Sequence, residues 1–178
     1  MMRGVMASVA RDRPYTLYSR MGSIANPLAT ITGVTGHAAF TLPGGNGDGV
    51  LIPAGTLANF GWCRVTGLLE RTNDNTGTSL RVWLSNNSAG VSGVSQITGF
   101  SLGASTNRQY FLFTDFTLDA SGVMTTKSWA SPGSQQVAIA ADISTGWANT
   151  TDTWVKFGVT AASTSDTFKL VQASVEVL

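Results

Sequence analysis

One His and one Cys are all that this 178-residue chain offers toward nucleophilic or zinc chemistry. A Ser-His-acid triad needs an imidazole as its base. The sole candidate, His37, sits in Gly36-His37-Ala38-Ala39-Phe40, and no Gly-x-Ser-x-Gly turn occurs in the chain. His37 is expected to be structural or superficial. Cys63 lies in the strand-like run Phe60-Gly61-Trp62-Cys63-Arg64-Val65. A lone thiol in such a run is usually buried and inert, and it excludes an intrachain disulfide. A zinc site would need about four His, Cys or carboxylate ligands, which this His and Cys count nearly rules out.

Oxygen chemistry is as sparse. Asn46 and Asp48 lie in Gly44-Gly45-Asn46-Gly47-Asp48-Gly49, close to a glycine-rich calcium repeat. Asp48 comes one position early, however, and no repeat follows, so a plain turn is expected. Asp74, between Asn73 and Asn75, reads the same way. Paired carboxylates could hydrolyse a glycoside, but Asp115, Asp119, Asp142 and Asp152 show no spacing that singles out a pair. The chain is therefore not expected to be an enzyme, and no metal or cofactor is expected. Glycan binding asks for exposed aromatics beside amides. Trp129, and Trp147 with Asn149, fit that description.

Elements must position these residues, and the elements read as strands. Leu80, Val82 and Leu84 alternate with Arg81 and Trp83, a period of two. Arg108 to Leu118 is the most apolar run. There Tyr110, Leu112, Thr114, Phe116 and Leu118 share one face and Phe111 and Phe113 the other, so both faces are expected to be buried. Further strands are expected over 34–42, 50–52, 60–70, 94–102, 123–129, 136–143, 154–161 and 167–178. Gly, Asn, Asp and Pro punctuate them. About ten strands with no helical period point to a sandwich or barrel.

Composition agrees. Charged residues are 12% of the chain and hydrophobic ones 43%, with 20 Gly. That is far too apolar for disorder. No apolar run approaches the ~20 residues needed to span a bilayer as a helix, so no membrane partner is expected. The formal net charge of +1 hides an asymmetry. Residues 1–26 hold Arg3, Arg11, Arg13 and Arg20 against Asp12 alone, a net +3. Residues 27–178 carry seven basic and nine acidic side chains, a net −2. Pro14 blocks a helix through the middle of the first segment. We read residues 1–26 as an extended basic arm and 27–178 as the β-sandwich domain. Arg3, Arg11, Arg13, Tyr15, Leu17, Tyr18 and Arg20 are its candidate partner-binding residues. Four Arg without a Lys-rich stretch are thin support for nucleic acid, and none is expected.

Three stretches carry a family resemblance. The first is Gly49-Val50-Leu51-Ile52-Pro53-Ala54-Gly55-Thr56-Leu57 with Trp62-Cys63-Arg64-Val65-Thr66-Gly67. The second is Asn73-Asp74-Asn75-Thr76-Gly77-Thr78-Ser79-Leu80-Arg81-Val82-Trp83-Leu84, and the third Phe113-Thr114-Asp115-Phe116-Thr117-Leu118. Together they resemble a jelly-roll domain of virion proteins of tailed bacteriophages. The match covers roughly residues 35–178 and leaves the arm outside. It implies a jelly-roll-like antiparallel β-sandwich in the virion, touching other virion proteins such as capsid or tail subunits. It also implies a homo-oligomer, a dimer or trimer. Capsid decoration anchored by the arm is the leading expectation, because the chain is short and lacks a fibre shaft. A tail or head-fibre appendage binding a host surface glycan is the alternative. A glycan-active enzyme is a third.

Overall fold

The computed structural model describes residues 15–57, 61–72, 78–90, 94–101, 108–118, 123–131, 136–137, 143–144 and 150–177. Their regular elements are strands, apart from one helical turn that begins at Thr56. In chain order these are β1 (Tyr15–Met21), β2 (Ala29–Thr32), β3 (Gly36–Ala39), β4 (Val50–Ile52), β5 (Cys63–Thr72), β6 (Ser79–Ser85) and β7 (Val94–Ser101). Then follow β8 (Arg108–Leu118), β9 (Val123–Ser131), β10 (Gln136–Val137), β11 (Ile143–Ser144), β12 (Thr153–Ala161) and β13 (Thr167–Val177).

The strands form two antiparallel sheets. One has the order β1-β13-β5-β8-β9-β11, with β2 also on β13. The other has the order β10-β7-β6-β12-β3, with β4 also on β12. Within them, β1-β13-β5-β8 faces β4-β12-β6-β7, and the chain crosses from sheet to sheet as a jelly roll does. The protein is an all-β sandwich.

Alternation builds the core. Val65, Leu69, Tyr110, Leu112, Phe116, Ala173 and Val175 point inward from the first sheet, all at most 1% exposed. Leu80, Val82, Leu84, Val155, Phe157 and Val159 answer from the second. Large buried side chains of this kind stabilise by about 1.5–3 kcal/mol each. The period-two reading of β6 holds, with Arg81 on the opposite face from Leu80 and Val82. Trp83, also outward, is nevertheless buried under His37, whose ring meets it edge-on at 5.6 Å. Gly158 gives Trp83 its seat, since any Cβ there would collide with the indole and with the Ala38 carbonyl.

Four expectations change. The strand expected from Phe60 starts at Cys63, because Gly61 turns the chain with φ +79. β2 was not anticipated. Residues 15–21, read as part of an arm, form the first strand of the roll and pair along Gln172 to Val177 of β13. Phe111 and Phe113 are only partly buried, while Tyr110, Leu112, Thr114 and Phe116 fill the interior. Among the described residues no second layer covers the outer face of β8. Instead the Arg64 guanidinium lies 4.7 Å from the centre of the Phe113 ring.

Two substitutions on β8 test that assignment. Phe116→Ala should cost about 3–5 kcal/mol through lost transfer and a cavity. Phe113→Ala should cost about 1 kcal/mol, the value of an exposed cation–π contact. Equal losses in denaturant melts would reverse the facing of this strand.

Candidate functional site

Three places on the sandwich gather side chains with chemical or binding potential. The first is the edge made by β1. Tyr18 is buried at its centre, and its hydroxyl donates to the Pro43 carbonyl at 3.2 Å. Burial raises its pKa, with Arg20 opposing. Leu17 packs partly against the core. Tyr15 and Arg20 stay exposed. Tyr15, Met21 and Ile24 are the exposed large hydrophobics among the described residues, at 59%, 74% and 41%. All three lie on β1 or in the turn after it. Between β1 and β4 runs a cleft of about 200 Å³, lined by Leu17, Tyr18, Val50 and Leu51 and by the glycine-rich turn. Arg3, Arg11 and Arg13 lie outside the described residues.

The second place is the outer face of the larger sheet. Arg64 donates through Nε and Nη2 to both oxygens of Asp115, at 3.0 and 3.1 Å. This bidentate bond, working against burial, raises the guanidinium pKa. Its plane lies 4.7 Å from the Trp62 and Phe113 ring centres. Trp129 stands at the register position opposite Phe113. Trp147 and Asn149 lie outside the described residues. Sequence reasoning passed over Trp62, Arg64 and Phe113 as site residues. The signal was the alternation that sends Arg64 and Phe113 outward together.

The third place is the outer face of the smaller sheet. His37 Nδ1 and Thr160 Oγ1 are 2.7 Å apart, on directly paired strands. Arg81 Nε donates to the same hydroxyl at 3.3 Å. An imidazole beside a hydroxyl is the start of an acyl-transfer site, which also needs a group to orient the base. No carboxylate contact to His37 is found among the described residues. Cys63 is fully buried, and burial pushes its thiol pKa far up, helped by Asp115 and Glu176.

The glycine-rich turn is a clasp. Asp48 accepts from Thr41 Oγ1 at 2.7 Å and from the Gly90 amide at 2.8 Å. The buried Lys156 donates to the Gly90 carbonyl at 2.6 Å. Asp48 thus has two donors and a nearby ammonium, which fits a turn lock. Asp115 and Asp152 are each engaged, Asp152 by the Ala54 amide at 2.9 Å. Asp119 and Asp142 lie outside the described residues. Among the described residues no three His, Cys, Asp or Glu cluster as metal ligands, and no helix is long and apolar enough to cross a membrane.

No protein-family model and no curated protein matches the chain. Solved structures do. One is a carbohydrate esterase of the Shiga toxin-encoding bacteriophage phi24B, with 12% identity, a TM-score of 0.40, and coverage of 93% of this chain and 99% of that one. Another is a protein of unknown function from Shewanella oneidensis MR-1, with 13% identity, a TM-score of 0.37, and coverage of 93% and 76%. The expectation that the chain is not an enzyme is withdrawn on the first of these.

The clasp predicts a pH dependence. The Gly90 amide, then Thr41, hold the Asp48 pKa below its usual value. A depressed carboxylate stabilises the fold above its unfolded pKa of about 3.9, and that contribution fades as pH falls through the lower folded value. Thermal melts from pH 6 to pH 2 (roughly the window above and below that pKa) should show Asp48→Asn losing less stability than the parent over the acid limb. Parallel curves would mean that the carboxylate does not lock the turn.

Proposed function

We propose that this chain is a structural protein of a tailed-phage virion, a decoration protein that joins the particle through its β1 edge and the basic segment before it. The observation that carries this reading is that Tyr15, Met21 and Ile24, the exposed large hydrophobics among the described residues, are all strung along β1 and the turn after it. Exposed apolar area along one edge suits an interaction site. The jelly-roll sandwich and the sequence resemblance to virion domains support it. Net charge adds direction. Arg3, Arg11, Arg13 and Arg20 precede or flank the apolar group, so the matching surface on capsid or tail subunits would be acidic.

Truncation at Asn26 would remove a strand and the buried Tyr18, so it cannot separate anchoring from folding. Point changes can. Tyr15→Ser, Met21→Ser and Ile24→Ser together touch exposed atoms and should leave melting nearly unchanged. They should weaken loading onto particles lacking this protein by at least about tenfold, or about 1.4 kcal/mol. Arg11→Ala, Arg13→Ala and Arg20→Ala together should weaken loading more at low salt, where those charges are least screened. Loading unaffected by either set would remove the edge as the anchor. A parent chain that never loads would remove the virion reading.

A second reading rests on the outer face of the larger sheet, as an appendage surface for a host glycan. Trp62 and Phe113 flank Arg64 and Asp115 there, beside the register position of Trp129. Aromatic faces with fixed polar partners suit sugar rings. Trp62→Ala and Trp129→Ala should each lower binding to purified host surface polysaccharide by about tenfold or more, the loss of about 1.4 kcal/mol. Undiminished binding in both would end this reading.

A further inference from the structure

The β1 edge is open and nearly uncharged. Proteins blunt exposed edges with short strands, charge or cover. Elsewhere β3 is four residues long, and β10 and β11 each cover two residues of β7 and of β9, the latter carrying Lys127. β1 runs for seven residues and, among the described residues, pairs only on its β13 side. Its sole charge is Arg20. Beside it the cleft between β1 and β4 is open, lined by Leu17, Val50 and Leu51 together with Tyr18, Asn46 and the backbone of Gly44 and Gly45. A strand added to β1 would complete its backbone hydrogen bonds and set alternate side chains over that cleft.

The chain carries a segment of the right kind. Val5-Met6-Ala7-Ser8-Val9-Ala10 is uncharged, free of Pro and Gly, and bounded by Gly4 and Arg11. Val5, Ala7 and Val9 recur at the strand period. Fourteen residues precede β1, an extended reach of roughly 45 Å.

Folding back onto its own β1 is disfavoured. Tight hairpin turns need positive φ and prefer Gly or Asn. Arg11-Asp12-Arg13-Pro14 has neither. Pro14 fixes its own φ near −65° and drives Arg13 toward extended backbone. A tight turn back onto β1 is therefore disfavoured by this sequence, while every other copy presents the same open edge.

We propose that the β1 edge takes residues Val5–Ala10 of a second copy of this chain as an added strand. The inference rests on reading this edge as the joining surface and names what seats there. Exchanged reciprocally, the arms close a dimer; passed head to tail, they close a ring. On a particle, decoration copies would be tied to one another by these arms.

Cross-linking of the full-length chain tests it. Copies carrying Ala7→Cys are mixed with copies carrying Ser19→Cys, and a short bis-maleimide is added. Cys63 is fully buried and does not compete. The expected product is a covalent pair joining one copy of each kind. In sedimentation the parent should be a dimer or larger. Val5→Asp with Val9→Asp should weaken association at least about tenfold, or about 1.4 kcal/mol. A monomeric parent overturns the proposal. So does association that the Asp pair leaves intact. So does a chain carrying both cysteines that links only within itself, which would show the arm covering its own edge. The particle-loading measurement stands apart. Arm exchange without loading sinks only the virion reading, and loading by a monomer sinks only the arm exchange.

Discussion

The roll closes on β13, and most of its architecture depends on that pairing. This strand lies between β5 on one side and β1 with β2 on the other. Eleven residues near the C-terminus therefore carry three strands from the first 72 residues. A shift in register between Leu170 and Gln172 accompanies the change from one neighbour to the next. β2 pairs before it, along Thr167 to Leu170, and β1 after it, along Gln172 to Val177. Phe168, Ala173, Val175 and Val177 are fully buried on its inner face. Closing first and last strands of a long chain costs loop entropy, but that cost grows only logarithmically with length. The buried apolar face can offset it.

A buried ion pair pins the turn that leads into β13. Arg71 and Asp166 are both inaccessible and 3.5 Å apart. Thr78 Oγ1 donates to Asp166 at 3.0 Å. Such a pair adds little over a well-packed apolar substitute, yet removing one partner strands a buried charge at about 3–5 kcal/mol. Its role is to fix where β5 ends and β13 begins. The register of β13 against β5 sets Glu176 across from Arg64 and so builds the outer platform.

Much of this was legible from alternation. β6, β8, β12 and β13 each show a period of two, and their buried faces follow it. What alternation could not give is how far each outer face is covered. Phe111 and Phe113 have the same apolarity as Phe116, yet only Phe116 meets the opposite sheet. Lys156 and Trp83 look like surface residues on β12 and β6, yet loops and a glycine seat bury both. β1 was hidden for another reason. Tyr15-Thr16-Leu17-Tyr18-Ser19-Arg20-Met21 alternates poorly because one register shift, between Thr16 and Tyr18, interrupts it. Of the candidate site residues, Tyr15, Leu17, Tyr18 and Arg20 do fall together on one strand. The pairing of Arg64 with Asp115 and Phe113 needed the cross-strand register, which a single strand does not reveal.

Both outer faces deal with their aromatic groups by internal contacts. On the larger sheet Arg64 stacks on Trp62 and Phe113 and is itself neutralised by Asp115. On the smaller sheet His37 covers Trp83, and the Asp48 clasp closes over Lys156. The fold thus has ready means of dressing apolar surface with charge and polar groups. At β1 it does not use them. Tyr15 and Met21 are exposed, and among the described residues the strand between them pairs on one side only. Leaving apolar area in water costs about 25 cal/mol for each Å². Among the described residues, then, the two faces spare their aromatic rings that cost through Arg64 and His37, and Tyr15 and Met21 on β1 bear it.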